Sequence, residues 1–471
     1  MQQDKGAKTY VNGGIAIQSS LEPSSKEDTP LIKAIQKQDY NRFEALMETE
    51  DVNEPGSYGL TPLIAACYIN TKIGRAMIQR LLWCPEINVN QEDDQGMSPL
   101  GVAMVRNSRL VVVALLRRGA NPNIHTYTRL KGGYDSQGKD YNRWRQVTPL
   151  SLAARRHDKR MADVLLKFGA SVDLLSDLDI TPLSMSARGD DVDMMAYFHR
   201  NGAHLDTMPT NWQEYTNQKE KGCPVVLRKV LKYGSINCLR YLINAGLRIP
   251  NVIYKKGGEQ MPILTYLLSQ PIPFSEQANY ESCARLLLGS GYDSLDNIRF
   301  TDNQKLNIAD ADFLGRNALY YAAYSYGEDL CAQLATKETM CRRDIDGDTP
   351  YSVAIRRGEL PIIRMFLEKG VNPNEAVHYY PWTITELDSY PNGITEPGIF
   401  YAMKRKDERL AALLIQKGAN LVWQNSEGKR PLDYLDKEFS PEFRQFFMKR
   451  MEMQKANLNV SAQNKQLNTM A

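Results

Sequence analysis

The sequence predicts an all-α solenoid of about ten or eleven stacked helix–turn–helix repeats interrupted by long loop insertions. Three observations predict it. The phrase Thr148-Pro149-Leu150, with Ala153 five residues after the threonine, recurs as "TPLIKAI" at 29, "TPLIAAC" at 61, "SPLGVAM" at 98, "TPLSMSA" at 181, "NALYYAA" at 317 and "TPYSVAI" at 349. Eroded copies stand as "PGIFYAM" at 397 and "RPLDYLD" at 430. About 16 positions beyond the alanine-equivalent residue stands a helix-ending glycine, at Gly119, Gly169, Gly202, Gly370 and Gly418. The step between copies is about 32 or 33 residues from 29 to 61, 148 to 181 and 317 to 349.

Each mark has a physical cause. Threonine before proline starts a helix, because its hydroxyl accepts an orphan amide and proline at the first helical position lacks only an N–H that the helix does not use. Small alanines let the first helix lie close to its neighbours. Paired leucines near the end of the second helix bury against the next copy, and glycine in the left-handed conformation turns the chain out. One such hairpin cannot bury its apolar face alone, so it repeats.

The second halves "VVALLRRGANPN" (112–123), "ADVLLKFGASVD" (162–173), "RMFLEKGVNPN" (364–374) and "AALLIQKGANL" (411–421) complete a pattern that resembles the ankyrin-repeat family. The resemblance covers nearly all of residues 26–450, although the copies at Cys223 ("CPVVLRKVL") and Met261 ("MPILTYLL") are degenerate and placed by position. It implies an ankyrin-repeat solenoid over 27–439. A polar segment at 1–26 and a tail at 455–471 are expected to be disordered. Between solenoid and tail, "SPEFRQFFMKRMEMQ" (440–454) reads as a capping helix, with Ser440 as N-cap and Phe443, Phe446, Phe447 and Met451 on one face.

The period breaks near 124–146, 207–220, 269–282, 293–312 and 375–396. Four of these breaks correspond, by the resemblance, to finger loops that edge the concave face; the one at 269–282 separates the two helices of a single copy. Insertions gathered on one side of a solenoid point to its binding side. The first holds Tyr127, Arg129, Tyr134, Tyr141, Arg143, Trp144 and Arg145 among small and polar residues, a mixture suited to contact and to a long hairpin turn. The last carries Tyr379, Tyr380 and Trp382 beside His378 and Pro381. Packing of these aromatic residues onto the solenoid is the competing reading. The resemblance places Arg106, Arg155, Arg156 and Arg188, and later Arg356, Arg357, Lys404 and Arg405, at the exposed ends of first helices. There they make a basic inner face for an acidic protein surface, unless they are ordinary repeat arginines.

Composition excludes several classes. With 58 Lys plus Arg against 55 Asp plus Glu the net charge is +3, too small to pull the whole protein onto nucleic acid. The 7 cysteines form no C-x-x-C pair, which suits buried thiols in a reducing compartment. The longest apolar run, "LVVVALL" at 110–116, falls far short of the roughly 20 residues of a membrane span. No signal peptide is readable, so a cytoplasmic protein, or one delivered into a host cell without a cleavable signal, is expected. The 5 histidines are scattered, phosphate loops and nucleophile elbows are absent, and no catalytic residue, cofactor or metal is expected.

These readings converge on a non-catalytic module, monomeric when unbound, that binds another protein through its concave face and finger loops and blocks or recruits it. Departures such as "NALYYAA" resemble bacterial or viral members and suggest an effector, an inhibitor or an immunity protein. Two alternatives are a nucleic-acid binder using the arginine rows with stacked aromatic residues, and an enzyme whose site would unite His125, Asp135 and His157.

Overall fold

Every strong copy of the repeated phrase begins a helix in the way its chemistry requires. In a computed structural model of the chain, the side-chain oxygens of Thr29, Thr61, Ser98, Thr148, Thr181, Asn317 and Thr349 each accept the backbone N–H three residues on, at 2.9–3.2 Å. The structure describes residues 27–69, 71–129, 144–176, 180–208, 223–254, 260–271, 276–289, 298–300, 306–379 and 394–470, with backbone only for 127–129, 144–146, 254 and 459–470. Expectations for residues 1–26 and for most of the loop at 207–220 therefore lie outside the described residues.

The chain divides into two compact units, Met1–Asn211 with Pro224–Leu242, and Trp212–Cys223 with Ile243–Ala471. In the first unit, α1 (Pro30–Lys37), α3 (Pro62–Tyr68), α5 (Pro99–Val105), α7 (Pro149–Arg155) and α9 (Pro182–Ser186) are first helices. Each is followed by its second helix: α2 (Tyr40–Leu46), α4 (Lys72–Trp83), α6 (Arg109–Arg117), α8 (Lys159–Lys167) and α10 (Val192–Arg200). The degenerate copy at Cys223 supplies α11 (Val225–Tyr233) and α12 (Ile236–Asn244). First helices of successive repeats pack side by side, α1 on α3, α3 on α5, α7 on α9 and α9 on α11.

The second unit repeats the scheme. Its pairs are α13 (Ile263–Leu268) with α14 (Gln277–Leu287), α15 (Ala318–Ser325) with α16 (Glu328–Leu334), α18 (Pro350–Arg357) with α19 (Leu360–Glu368), and α20 (Gly398–Lys404) with α21 (Glu408–Gln416). A short helix, α17 (Lys337–Cys341), follows α16. All five glycines picked out at helix ends are left-handed, with φ of 93° at Gly119, 87° at Gly169, 92° at Gly202, 95° at Gly370 and 97° at Gly418. A side chain at any of them would touch nothing within 4 Å, so backbone strain of about 1 kcal/mol is what a substitution would cost.

Asparagines tie the loops of successive repeats together. Asn53 accepts the N–H of Asn88 at 2.7 Å and donates to the carbonyl of Glu86 at 2.8 Å. Asn90 does the same to Asn121 and Gly119, at 2.8 and 3.1 Å, and Asn123 to Ser171 and Gly169, at 2.6 and 3.0 Å. At the next rung stands Asp173, which can only accept. It takes the His204 N–H at 3.1 Å and pairs with His204 Nδ1 at 2.5 Å. The hydrogen bond and charge of Asp173 raise the His204 pKa above 6.5. A pKa raised in the folded state contributes stability below pH 6.5 that is lost as pH rises through the folded value. Asp173→Asn is expected to restore a donating rung and to abolish this pH-dependent component. Chemical denaturation above and below that pH checks it, and a variant with the wild-type pH dependence would count against the assignment.

Three departures refine the expected all-α architecture. Two insertions form two-stranded antiparallel hairpins, β1 (Thr126–Arg129) with β2 (Trp144–Val147) and β5 (Ala376–Tyr379) with β6 (Ile394–Pro397). A further hairpin, β3 (Val252–Tyr254) with β4 (Gln260–Pro262), precedes α13 and was not anticipated. The break placed at 269–282 is shorter than expected, because Gln277–Ser282 already belongs to α14, whose Tyr280, Cys283, Ala284 and Leu287 are buried.

The C-terminal region differs as well. "RPLDYLD" yields only a 3-10 turn, Pro431–Tyr434, which is too short to pair with a second helix. The terminal helix, α22, runs Pro441–Met470, so residues 455–470, expected to be disordered, have helical backbone. Its first turn is capped by Ser440, whose hydroxyl oxygen accepts the Phe443 N–H at 3.2 Å, and no proline or glycine after Pro441 interrupts it.

Candidate interaction site

The four arginines expected on the first-helix face of the first unit fall into two kinds. Arg106, at the end of α5, donates to the Tyr68 carbonyl at 2.8 Å and lies over the Tyr68 ring at 5.9 Å. Arg156, at the end of α7, donates to the carbonyls of Met104 and Val105, the latter at 2.9 Å. Both satisfy orphan carbonyls at the end of the preceding first helix, a structural task that joins repeats. Arg155 and Arg188 instead lie within electrostatic reach of each other and of Tyr233. Burial lowers the Arg155 pKa, and the positive charges of Arg188 and Arg156 lower it further.

In the second unit the basic row is largely neutralised. Arg356 pairs with buried Asp348 at 2.7 Å and donates to the His378 carbonyl, and Arg357 lies 3.7 Å from Glu359 and over the Tyr324 ring. Arg405 bonds the Tyr401 hydroxyl at 3.2 Å. Lys404 pairs with Glu396 at 2.8 Å. Glu396 lies in β6 and is 3% exposed; it also accepts the Tyr379 hydroxyl and, at 3.1 Å, the Asn425 amide. Asn425 in turn bonds the Tyr434 hydroxyl at 3.0 Å.

Tyr379 was expected to contact a partner, yet it is buried, with its ring 4.9 Å from that of Tyr401. Here packing wins. The Glu396 network clamps the β5–β6 hairpin to α20 and to the loop at 425, a role that no local sequence pattern announces. For the first hairpin the register places Tyr127 opposite Gln146, Thr128 opposite Arg145 and Arg129 opposite Trp144. Tyr134, Tyr141, Arg143, Tyr380 and Trp382 lie outside the described residues.

Two contact candidates were missed. In the loops before α15 and α18, Asp312 accepts the N–H groups of Leu314 and Arg316, and Asp344 those of Asp346 and Asp348, at 2.9–3.0 Å. These bonds turn out a tip residue in each loop, Phe313 and Ile345, 58% and 69% exposed. The Ile345 N–H donates to the Leu314 carbonyl at 2.9 Å, so neighbouring tips are held together. The signal was an apolar residue directly after aspartate in "DFLG" and "DIDG", where a polar one suits a turn better.

The residues weighed for chemistry engage separate partners. His125 meets the Leu175 carbonyl at 3.3 Å, His157 pairs with Asp191, and Asp135 lies outside the described residues. Among the described residues no group of three His, Cys, Asp or Glu side chains is placed to hold a metal, and no helix is long and apolar enough to cross a membrane.

A family model for ankyrin repeats (3 copies) matches residues 31–126 and 274–376. A protein of Escherichia coli (strain K12) named as an ankyrin repeat protein, YahD, is 34% identical over 120 residues, 24% of this chain and 48% of that protein. The match thus spans about half the length of this relative. With its capped first helices, glycine-ended second helices and matched segments, the chain carries ankyrin repeats.

Proposed function

We propose that the protein is a non-catalytic module that binds another protein through the first-helix face and the finger loops, blocking or recruiting that partner as an effector or inhibitor does. Ankyrin repeats mediate protein–protein interaction. The observation that carries the reading here is the pair of linked, exposed tips, Phe313 and Ile345, on loops made rigid by Asp312 and Asp344. Preordered apolar side chains keep affinity that a mobile loop would lose to ordering. A second support is the arginine and tyrosine content of the first-helix ends, residue types that dominate interface energetics.

The test is comparative capture from lysate followed by mass spectrometry. Wild type is set against a variant whose residues 126–145 are replaced by a short Gly-Ser turn, and against Phe313→Ser with Ile345→Ser. The tip pair is expected to leave stability within about 0.5 kcal/mol, as surface changes do, while weakening partner capture at least about tenfold. Identical captured proteins at identical affinity in all three would overturn the reading.

A further inference from the structure

We propose that the outward face of α4, α6 and α8 docks on the surface of an anionic lipid bilayer. This goes beyond the protein-binding reading above, which uses first-helix ends and finger loops, whereas the new face is made of second helices. The three helices, "KIGRAMIQRLLW", "RLVVVALLR" and "KRMADVLLK", together carry eight Lys or Arg residues against a single acid, Asp163. No other second helix among the described residues carries more than one Lys or Arg. A chain whose net charge is only +3 thus gathers positive charge on three successive elements of one unit. Acidic runs bound them, with Glu48, Glu50 and Asp51 after α2 and Asp190, Asp191 and Asp193 at the start of α10.

The helical period fixes which side chains face outward. In α4, Met77, Ile78, Leu81 and Leu82 are buried, so Lys72, Arg75 and Trp83 are left to solvent. In α6, burial of Val111, Val112, Leu115 and Leu116 leaves Leu110 and Arg117 outside, and in α8 burial of Met161, Ala162 and Leu165 leaves Arg160 and Lys167 outside. Two contacts set these helices side by side. Arg118, just after α6, donates to the Cys84 carbonyl at 2.7 Å, which brings the end of α6 beside Trp83. Arg109 pairs with Asp158, the cap of α8, at 2.8 Å, which brings Leu110 beside Lys159 and Arg160.

The chemistry of this face is cationic and apolar at once. Lys72, Arg75, Arg117, Lys159, Arg160 and Lys167 are exposed and enter no ion pair among the described residues. Asp163 accepts the Tyr197 hydroxyl at 2.6 Å. Leu110 and Trp83, 78% and 75% exposed, are the most exposed large apolar side chains among the described residues, and both stand amid these cations. A bilayer surface answers both features. Anionic headgroups attract Lys and Arg, each worth about fivefold in affinity close to the surface, and Trp and Leu side chains enter the headgroup boundary. A nucleic acid would meet the cations but give the aliphatic Leu110 and Ile73 nothing to stack on. Because Trp83 ends α4 and Leu110 begins α6, the apolar anchors are spread over the face, which suits a flat lipid surface better than the central cluster of a protein hot spot.

The experiment is co-sedimentation of the full chain with phosphatidylcholine vesicles, with and without phosphatidylserine, at low and high salt. Four proteins are compared: wild type, the triple variant Arg75→Gln, Arg117→Gln and Arg160→Gln, the pair Trp83→Ser with Leu110→Ser, and a control of equal charge change on the second unit, Arg342→Gln, Arg364→Gln and Arg409→Gln. Wild type is expected to sediment with the phosphatidylserine vesicles, less so at high salt, and to ignore the neutral ones. The triple variant should bind at least about tenfold more weakly, the serine pair at least about threefold more weakly with its salt dependence kept, and the control should match wild type, with thermal midpoints alike throughout. Vesicles should also move the tryptophan emission to shorter wavelength, and Trp83→Phe should remove that shift. No sedimentation of wild type, equal sedimentation with neutral vesicles, wild-type affinity in either face variant, an equal loss in the control, or a shift that survives Trp83→Phe would overturn the proposal. Tight binding of a labelled oligodeoxynucleotide by the serine pair, lost in the triple variant, would assign the cations to nucleic acid and overturn it too. If the vesicles fail while the tip and hairpin variants still lose their partner, the membrane inference falls and the interaction reading stands.

Discussion

Glu396→Ala is expected to destabilise the second unit by about 3–5 kcal/mol, the usual consequence of removing one partner of a buried ion pair. Glu396 is 3% exposed, and the side chain of its cation, Lys404, is 14% exposed. Without the carboxylate, the ammonium keeps Glu427 at 3.7 Å and the Tyr379 and Tyr434 rings at 5.9 and 5.5 Å, none of which replaces a direct charged hydrogen bond. The hydroxyl of Tyr379 and the amide of Asn425 lose the same acceptor. Glu396→Gln keeps an acceptor in place and is expected to cost less.

Alkaline pH supplies an independent signature. Burial alone would lower the Lys404 pKa, but the hydrogen bond and charge of Glu396 raise it above 10.5. Burial raises the Tyr379 pKa above 10.0, and its bond to Glu396 raises it further. Both groups hold their protons more tightly when folded, so their contribution is complete below about pH 10 and is lost as pH rises through the folded values. The stability gap between wild type and Glu396→Ala in urea titrations is therefore expected to narrow above pH 10. A gap under about 1 kcal/mol at neutral pH would show that the network does not hold the hairpin.

How much of this could be read from the chain depends on where each interaction is encoded. The first helices were legible because cap, proline and first buried leucine are neighbours, as in Thr61-Pro62-Leu63, and the second-helix ends because glycine takes the φ near 90° of that turn with the least strain, whereas the first-helix ends put Gln38, Asn107 and His157 at φ of 55–57° and carry no such mark. Strands were less legible, since Val252–Tyr254 is too short to display a period of two. The tail misled because its polar composition argued for disorder, whereas helix continuation depends on the absence of breakers after Pro441. The site was legible only in part. Arg106 and Arg156 stand at equivalent positions, eight residues after the caps Ser98 and Thr148, and share one fate, but which carbonyls they reach follows only from how the neighbouring repeats stack. Glu396 acquires its meaning from Tyr379, Lys404 and Asn425, partners that the fold assembles from a hairpin, a helix and a loop.

Phe366→Ala, the second large effect, is expected to lower stability by about 3–5 kcal/mol, the range for truncating a buried aromatic ring to a methyl group. Phe366 in α19 is fully buried, and its ring meets that of Tyr351 in α18 edge-on, at 6.1 Å and 85°. The contact joins the two helices of one repeat, and in a stack each repeat is stabilised through its neighbours, so the loss reaches the adjoining helices α15 and α20. Tyr351 gives the internal comparison. It is 0% exposed, and its hydroxyl has no hydrogen-bond partner among the described residues, so Tyr351→Phe removes a buried polar atom and keeps the ring contact. That change is expected to raise stability by about 1 kcal/mol. Because the two rings touch, the double variant is expected to depart from the sum of the single changes by about 0.5 kcal/mol or more. Urea unfolding followed by far-ultraviolet circular dichroism measures all three. A destabilised Tyr351→Phe would mean that the hydroxyl is satisfied in solution, by a buried water, and the Tyr351–Phe366 pair would then be a hydrated site rather than a dry one.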